Sequence, residues 1–551
     1  MNAELAARTA RYKLQVAKTF IDTGILRPSR PDRTLRSLAA LRSWGPTPAA
    51  AYLGSAARYP DRIAVVDERG TLSFEEVHRR TNALAHGLRD AGVDAGDGVA
   101  IMCRNHRGFI DATVAASKLG ASALYLNTAF AGPQIADVLA REDPVAVIYD
   151  EEFAELVRDG AAGRKRFIAW RESPAKASPD GECPQIEDLI KAGERSDLRP
   201  PAERGRVVIL TSGTTGAPKG AARKEPDSIE PMAAMFSKIP LRARETTVIA
   251  APMFHSWGFA HFTLALPLGS TLVLRRKFDP EETLAAVARH RASALAVVPV
   301  MLQRILELGP ETIGRYDTSC LRVIAASGSA LPGELATRVM DTFGDVLYNL
   351  YGSTEVAWAT IATPADLRAA PGTAGRTPLG TIVKLLDAEG REVPDGEGGR
   401  IFVANEMMFE GYTGGGGKEI VGGLMSTGDV GHFDAGGRLF VDGRDDEMIV
   451  SGGENVFPRE VEDLLADHRE VADVAVIGVE DKEFGQRLKA FVVPRNGTAS
   501  SPEGELSVEA IQAYVKHNLA RYKVPRDVVF VKELPRNATG KILKRELHAN
   551  P

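Results

Sequence analysis

Val207-Val208-Ile209-Leu210-Thr211-Ser212-Gly213-Thr214-Thr215-Gly216-Ala217-Pro218-Lys219-Gly220 passes from an apolar run into a turn of small and hydroxylated residues. The run over 207–210 reads as a strand. The ten residues from Thr211 hold four hydroxyls, three glycines and one lysine. Glycines let the backbone fold so that several N–H groups converge on one point. The hydroxyls add donors and Lys219 adds positive charge, which together suit a polyphosphate. A plain polar turn would not need that set. The Walker A pattern, G-x-x-x-x-G-K-[ST], is not met, because Lys219 is followed by Gly220. A P-loop kinase or ATPase is therefore disfavoured.

Upstream of this loop, short apolar runs alternate with helical patterns. Strands are expected over 62–66, 98–102 and 122–126, and helices over 74–91 and 109–120, which argues for layered α/β structure with largely parallel sheets. The apolar stretch 294–302 is broken by Pro299 and reads as a buried strand running into a helix. Downstream, the Gly-rich stretch 411–423 reads as a flexible loop. Beyond Gly443 a compact tail is expected, with helices over 460–466 and 508–519 and strands over 474–479, 489–493 and 528–531. The resulting division is an N-terminal extension over 1–45, a large domain over 46–445 and a small α+β domain over 446–551.

Bulk properties bound the function. A chain of 551 residues is too long for one ordinary core. A net charge of -5 and the lack of a dense basic block argue against nucleic acid. Cys103, Cys183 and Cys320 lie far apart without metal-ligand spacing, as expected of a reducing cytoplasm. No signal peptide, lipidation motif or transmembrane stretch is read, so a cytoplasmic location is expected. In the extension, Leu5, Tyr12, Val16 and Phe20 recur at helical spacing among Arg8, Arg11, Lys13 and Lys18. Two readings stay open: a helix packed on the large domain, or one touching the anionic inner face of a membrane.

Other motifs add to the phosphate loop. Tyr351-Gly352-Ser353-Thr354-Glu355 follows an apolar run. An aromatic can stack on adenine, a hydroxyl can bond a phosphate and a carboxylate can hold Mg²⁺. Ser426-Thr427-Gly428-Asp429 supplies a carboxylate suited to two ribose hydroxyls. Gly328-Ser329-Ala330 is a small-residue turn after a strand. Arg444-Asp445-Asp446 leads into Gly452-Gly453, and Pro535-Arg536-Asn537-Ala538-Thr539-Gly540-Lys541 forms a loop near the end.

Taken in order from about Pro48, these motifs resemble the adenylate-forming superfamily of acyl-CoA synthetases, adenylation domains and luciferases. The likeness is greatest to bacterial medium- and long-chain fatty acyl-CoA ligases. It implies a small domain that is mobile, and a two-step reaction: ATP and Mg²⁺ activate a carboxylic acid as acyl-AMP, and coenzyme A then takes the acyl group. By resemblance, Thr211, Ser212, Gly213, Thr214, Thr215, Gly216 and Lys219 bind phosphate. Gly328, Ser329, Ala330, Tyr351 and Gly352 border adenine, Thr354 bonds the α-phosphate and Glu355 holds the metal. Asp429 takes ribose, Arg444 contacts the nucleotide, Asp446 is the hinge and Lys541 is the catalytic lysine. Gly452 and Gly453 line the path of CoA, and His255 lies near the substrate carboxylate. One departure is Leu424, where many relatives have Trp. Gly258 and Ala260 are expected to leave room for the acid and Val297–Met301 to wall it, which favours a fatty acid. Two rivals are an adenylating enzyme that loads a carrier protein, on fatty or aryl acids, and a non-catalytic acyl-nucleotide binder.

Overall fold

The structure is a computed structural model that describes residues 2–27, 30–172, 183–211, 219–223, 229–394, 396–451, 454–481, 485–495, 506–537 and 540–548. The runs of apolar residues read as strands do form strands, and most are buried on both faces, as parallel strands between helices must be. Gly98–Met102 occupies the expected span, and Ala294–Val297 runs through Val298 into the helix Pro299–Leu306. The helix Phe74–Asp90 begins with a reciprocal cap. Ser73 Oγ accepts from the Glu76 N–H at 3.2 Å, and Glu76 Oε2 accepts from the Ser73 N–H at 2.6 Å.

The fold is α/β, with a large N-terminal domain and a small C-terminal domain. Two sheets dominate the large domain. The first has eight strands, in the order Thr360–Ala362, Leu347–Tyr351, Val323–Ala326, Ala294–Val297, Thr246–Ile249, Thr271–Leu274, Ile63–Asp67 and Gly70–Ser73. The second has seven: Gly411–Tyr412, Lys219–Arg223, Val207–Thr211, Ser122–Tyr125, Gly98–Met102, Ala146–Asp150 and Lys165–Trp170. Inner neighbours are parallel in both. Antiparallel pairs close both edges of the first sheet and the Gly411–Tyr412 edge of the second, whose other edge, Lys165–Trp170, is parallel. One apolar core, containing Val65, Leu84, Ile101, Phe109 and Phe262, joins the two sheets through the helices Phe74–Asp90, Arg107–Leu119 and Ser256–Leu268.

The expectation of largely parallel sheets fails beyond residue 380. Ile382–Leu386, Gly399–Ala404, Leu424–Phe433 and Leu439–Arg444 pair antiparallel in a third sheet. No crossover helix intervenes between these strands, so the chain returns antiparallel, most tightly over 434–438 between Leu424–Phe433 and Leu439–Arg444. The Gly-rich stretch is not a mere loop either. Gly411–Tyr412 adds to the edge of the second sheet, and Ile420–Val421 to the third. The small domain has its own sheet and its own core of Ile449, Val461, Leu465, Val476, Val492, Ile511 and Val515. In the N-terminal helix Asn2–Thr23, Val16 and Phe20 pack on the large domain, with Phe20 edge-on to Phe236 at 6.2 Å.

Candidate active site

Three parallel strands of the first sheet end on the same side, where ligands of open α/β sheets bind. Val323–Ala326 leads to Gly328, Ala294–Val297 leads to the helix Pro299–Leu306, and Leu347–Tyr351 leads to Glu355. Gly328 takes φ +97°, and its α-carbon lies so near Val298 that an added Cβ would stand 3.3 Å from Cγ1. Gly328 and Ala330 are exposed and Ser329 is half-buried. Gly352 is required by close approach, since a Cβ there would meet the Ala357 carbonyl at 2.5 Å.

Tyr351 is tied to the third sheet. Its hydroxyl donates to Asp429 Oδ2 at 2.6 Å and also lies 3.2 Å from Thr427 Oγ1. Burial and the Asp429 charge raise its pKa well above the usual phenol value. Asp429 stands opposite Arg444 on the neighbouring strand. Arg444 Nη1 reaches Asp429 Oδ1 at 3.4 Å, and Nε donates to Asp446 Oδ1 at 2.9 Å. Burial opposes charge on Arg444, yet Asp446 and Asp429 push its pKa up. Burial would likewise raise Asp446, but the Arg444 bond and charge hold it below the usual carboxylate value. Arg444 thus bridges the ribose candidate and the hinge candidate.

Thr354 and Glu355 follow in the same segment. Thr354 Oγ1 is 3.2 Å from Ser256 Oγ, at the start of the helix Ser256–Leu268. The Glu355 side chain is buried, and its Oε1 accepts the Tyr412 hydroxyl at 2.8 Å. Burial and the Glu355 charge raise the Tyr412 pKa. Lys219 Nζ sits 5.2 Å from the centre of the Tyr412 ring. Tyr412 therefore joins the returning strand of the phosphate loop to the acid of the first sheet. With one neutral hydroxyl donor on Oε1, the Glu355 carboxylate has lone pairs to spare and fits a hard cation such as Mg²⁺.

His255 precedes the helix Ser256–Leu268 and is half-buried. Desolvation pulls its pKa down to about 4, so the imidazole is neutral near pH 7. Trp257 Nε1 donates to the Val297 carbonyl at 3.0 Å and lies 3.3 Å from that of Ala325, pinning this helix to two strand ends. Contrary to the expectation from sequence, Gly258 leaves no room for an acid. Its α-carbon abuts backbone, and a Cβ would lie 2.3 Å from the Pro252 carbonyl oxygen.

In the small domain, the Lys541 N–H donates to Asn537 Oδ1 at 2.9 Å, and Arg536 Nη1 donates to the Gly540 carbonyl. Gly540 has φ +80° and abuts the helix Pro299–Leu306, where a Cβ would fall 2.5 Å from Val300 Cγ1. Gln303 Nε2 also donates to the Ala472 carbonyl at 3.4 Å. The Lys541 loop is thus seated beside the expected acid wall. The Lys541 side chain is exposed and, among the described residues, no contact joins it to Glu355 or Asp429.

Thr211 pairs with Lys219 through backbone. Ser212, Gly213, Thr214, Thr215 and Gly216 lie outside the described residues, as do Gly452 and Gly453. Tyr412 was missed as a part of the site. Tyr412 sits in a Gly-rich run, and its partner Glu355 is 57 residues away, so no local signal marks it. Cys103, His106 and Asp150 come together, all buried. His106 spends Nε2 on Asp150 at 2.7 Å and Nδ1 on the Gly108 N–H at 3.0 Å, so the cluster is a structural pin, not a metal site.

The profile of AMP-binding enzymes matches residues 54–413, and that of the AMP-binding enzyme C-terminal domain matches residues 460–541. A feruloyl-CoA synthase of an Amycolatopsis species is 33% identical over 497 residues, which cover 89% of this chain and 96% of that protein. An indoleacetate–CoA ligase of Aromatoleum aromaticum is 31% identical over 498 residues, covering 89% and 95%. Among solved structures, the anthranilate CoA ligase AuaEII in complex with anthranoyl-AMP has a TM-score of 0.81 at 25% identity, covering 91% of this chain and 96% of that one. Matched along nearly its whole length in sequence and in fold, the chain belongs to the AMP-binding enzyme family.

Proposed function

We propose that this chain is an AMP-forming acid–CoA ligase that acts on an aromatic carboxylic acid. ATP and CoA are its co-substrates and Mg²⁺ its metal. The observation that carries the reading is the contact chain from Lys219 through Tyr412 to Glu355, and from Tyr351 through Asp429 to Arg444. These contacts bring Lys219, Glu355, Asp429 and Arg444 near the end of the strand Leu347–Tyr351, which supports one shared nucleotide site. The aromatic acid is supported by the feruloyl, indoleacetate and anthranilate named for the three relatives. The fatty acid expected from the sequence is named for one relative, a fatty acid–acyl-carrier-protein ligase of Streptomyces coeruleorubidus at 29% identity over 89% of this chain, and the room ascribed to Gly258 is taken up by backbone.

In the first step a substrate carboxylate oxygen attacks the α-phosphorus of ATP, and the bond to pyrophosphate breaks. The acid is already ionised at neutral pH, since its pKa is about 4.3. The obstacle is repulsion between anions. Lys541 and Lys219 answer it with charge, and Thr354 with a hydroxyl at the α-phosphate. Glu355 would hold Mg²⁺, which when bound supplies further positive charge at the phosphates. One such contact is worth on the order of 3 kcal/mol, about a hundredfold in rate. A neutral His255 can donate to the substrate carboxylate without adding charge. In the second step the CoA sulfur attacks the acyl carbon and AMP leaves. Rotation about Asp446 would withdraw Lys541 and bring Gly452 and Gly453 to the CoA path.

Pyrophosphate release is to be measured with feruloyl-type, indole and benzoate acids and with fatty acids of graded length, with and without CoA. Aromatic acids should turn over, and only with CoA should a thioester form. Turnover of fatty acids alone would refute the acid assignment. Adenylation without thioester formation would point to carrier loading. Lys541→Ala should cripple adenylation yet spare CoA transfer from supplied acyl-adenylate.

A further inference from the structure

The N-terminal helices have two apolar faces, and the large domain uses only one. Along Asn2–Thr23, Val16 and Phe20 are buried, while Leu14 and Ile21, two turns apart on the other side, are 71% and 63% exposed. The helix Pro31–Trp44 repeats the pattern. Ala40 and Trp44 are buried, and Leu35 and Leu38 are 67% and 57% exposed. Leu26, in the turn between the helices, is exposed as well. Of the nine large apolar side chains exposed among the described residues, five fall between residues 14 and 38. Singly exposed leucines need no explanation, but such a concentration marks an interaction surface.

The charge of the same segment says what it fits. Residues 1–44 hold nine Arg or Lys against three Asp or Glu, a net +6 in a chain whose total is -5. Arg11, Lys18, Arg27, Arg30, Arg36 and Arg42 are exposed. The positive zone continues onto the large domain. Arg58 donates to the carbonyls of Ile25 and Arg27, and Arg62 donates to the Arg244 carbonyl. The Arg58 bonds also hold Ile25 and Arg27, which follow the helix Asn2–Thr23, in place. A second copy docking through this face would set +6 against +6. Anionic headgroups over an apolar layer suit both leucines and arginines. No helix among the described residues is long and apolar enough to cross a membrane. The segment lies ahead of the family match at residues 54–413.

We propose that the helices Asn2–Thr23 and Pro31–Trp44 form a docking surface for an anionic lipid bilayer, lying in its interface with the leucines inserted and the arginines among the phosphates. The proposal does not depend on which acid the enzyme activates. It is tested on the full-length protein by co-sedimentation with vesicles of phosphatidylglycerol and phosphatidylcholine, against phosphatidylcholine alone. Binding should require the anionic lipid and weaken with salt. Leu14→Gln, Ile21→Gln, Leu35→Gln and Leu38→Gln alter exposed side chains only, so melting temperature and thioester formation from a soluble acid should stay unchanged. Vesicle binding should fall roughly tenfold for each leucine removed from the bilayer. Absence of binding, or equal binding to both vesicles, overturns the proposal. So does a dimer in light scattering that the same variant dissociates, because the occupant would then be a second copy.

Discussion

Gly540→Ala should slow adenylation much more than CoA transfer, because one of its two costs exists only while the small domain is seated as observed. Gly540 has φ +80°, where an alanine is strained by about 1 kcal/mol in any domain orientation. Its new Cβ would also stand 2.5 Å from Val300 Cγ1, closer than any real carbon contact. Overpacking of this kind costs about 1–3 kcal/mol, and it falls on the seated state alone. If adenylation requires that state, its rate should drop about 5- to 150-fold, while transfer from supplied acyl-adenylate changes little. ATP–pyrophosphate exchange at saturating acid reads the first step, and thioester formation from acyl-adenylate reads the second. Val300→Ala removes the Cγ1 that clashes and leaves only a Cβ at 3.2 Å, so the double variant should recover most of the lost exchange activity. Equal losses in both steps would refute the reasoning. So would a double variant no better than Gly540→Ala.

Three further outcomes follow from contacts at the site. Tyr412→Phe removes the hydroxyl that Glu355 accepts at 2.8 Å. A bond to a charged group is worth about 1.5–3 kcal/mol, so adenylation should fall roughly 10- to 150-fold with a higher Mg²⁺ requirement, read by Mg²⁺ titration. Tyr351→Phe frees Asp429 from the 2.6 Å bond that orients it, and should raise the KM for ATP more than it lowers kcat in steady-state assays. His261 is 1% exposed, and burial pulls its pKa from 6.5 to about 4. Between those values the unfolded chain binds the proton and the folded one does not. Its contribution is therefore complete above pH 6.5 and lost as pH falls toward 4. At pH 4.5 the loss relative to pH 7 should be about 2–3 kcal/mol smaller in His261→Leu, measured by urea unfolding.

Much of this molecule was legible residue by residue. The strand Gly98–Met102, the helix Phe74–Asp90 and the strand-to-helix passage at Pro299 follow from apolar runs, helical patterning and proline geometry. These signals act within a few residues, so a linear reading finds them. The antiparallel third sheet was not legible, because the direction of a strand's neighbour depends on how the chain returns and not on the strand's composition. Nor was the role of Gly258, since the carbonyl that forbids a Cβ there becomes visible only once the helix Ser256–Leu268 is placed.

By itself the sequence determined which chemical groups this protein possesses: a hydroxyl- and glycine-rich loop ending at Lys219, the acid Glu355, the acid Asp429 and a basic loop at Lys541. Only the tertiary structure decided how they are joined. Ser256 meets Thr354 across 98 residues, Tyr351 meets Asp429 across 78, and Gly540 comes to rest on Val300. The physical reason is that such contacts are made by the ends of strands and helices whose positions are set by the shared core. No short stretch of chain carries the information that brings them together.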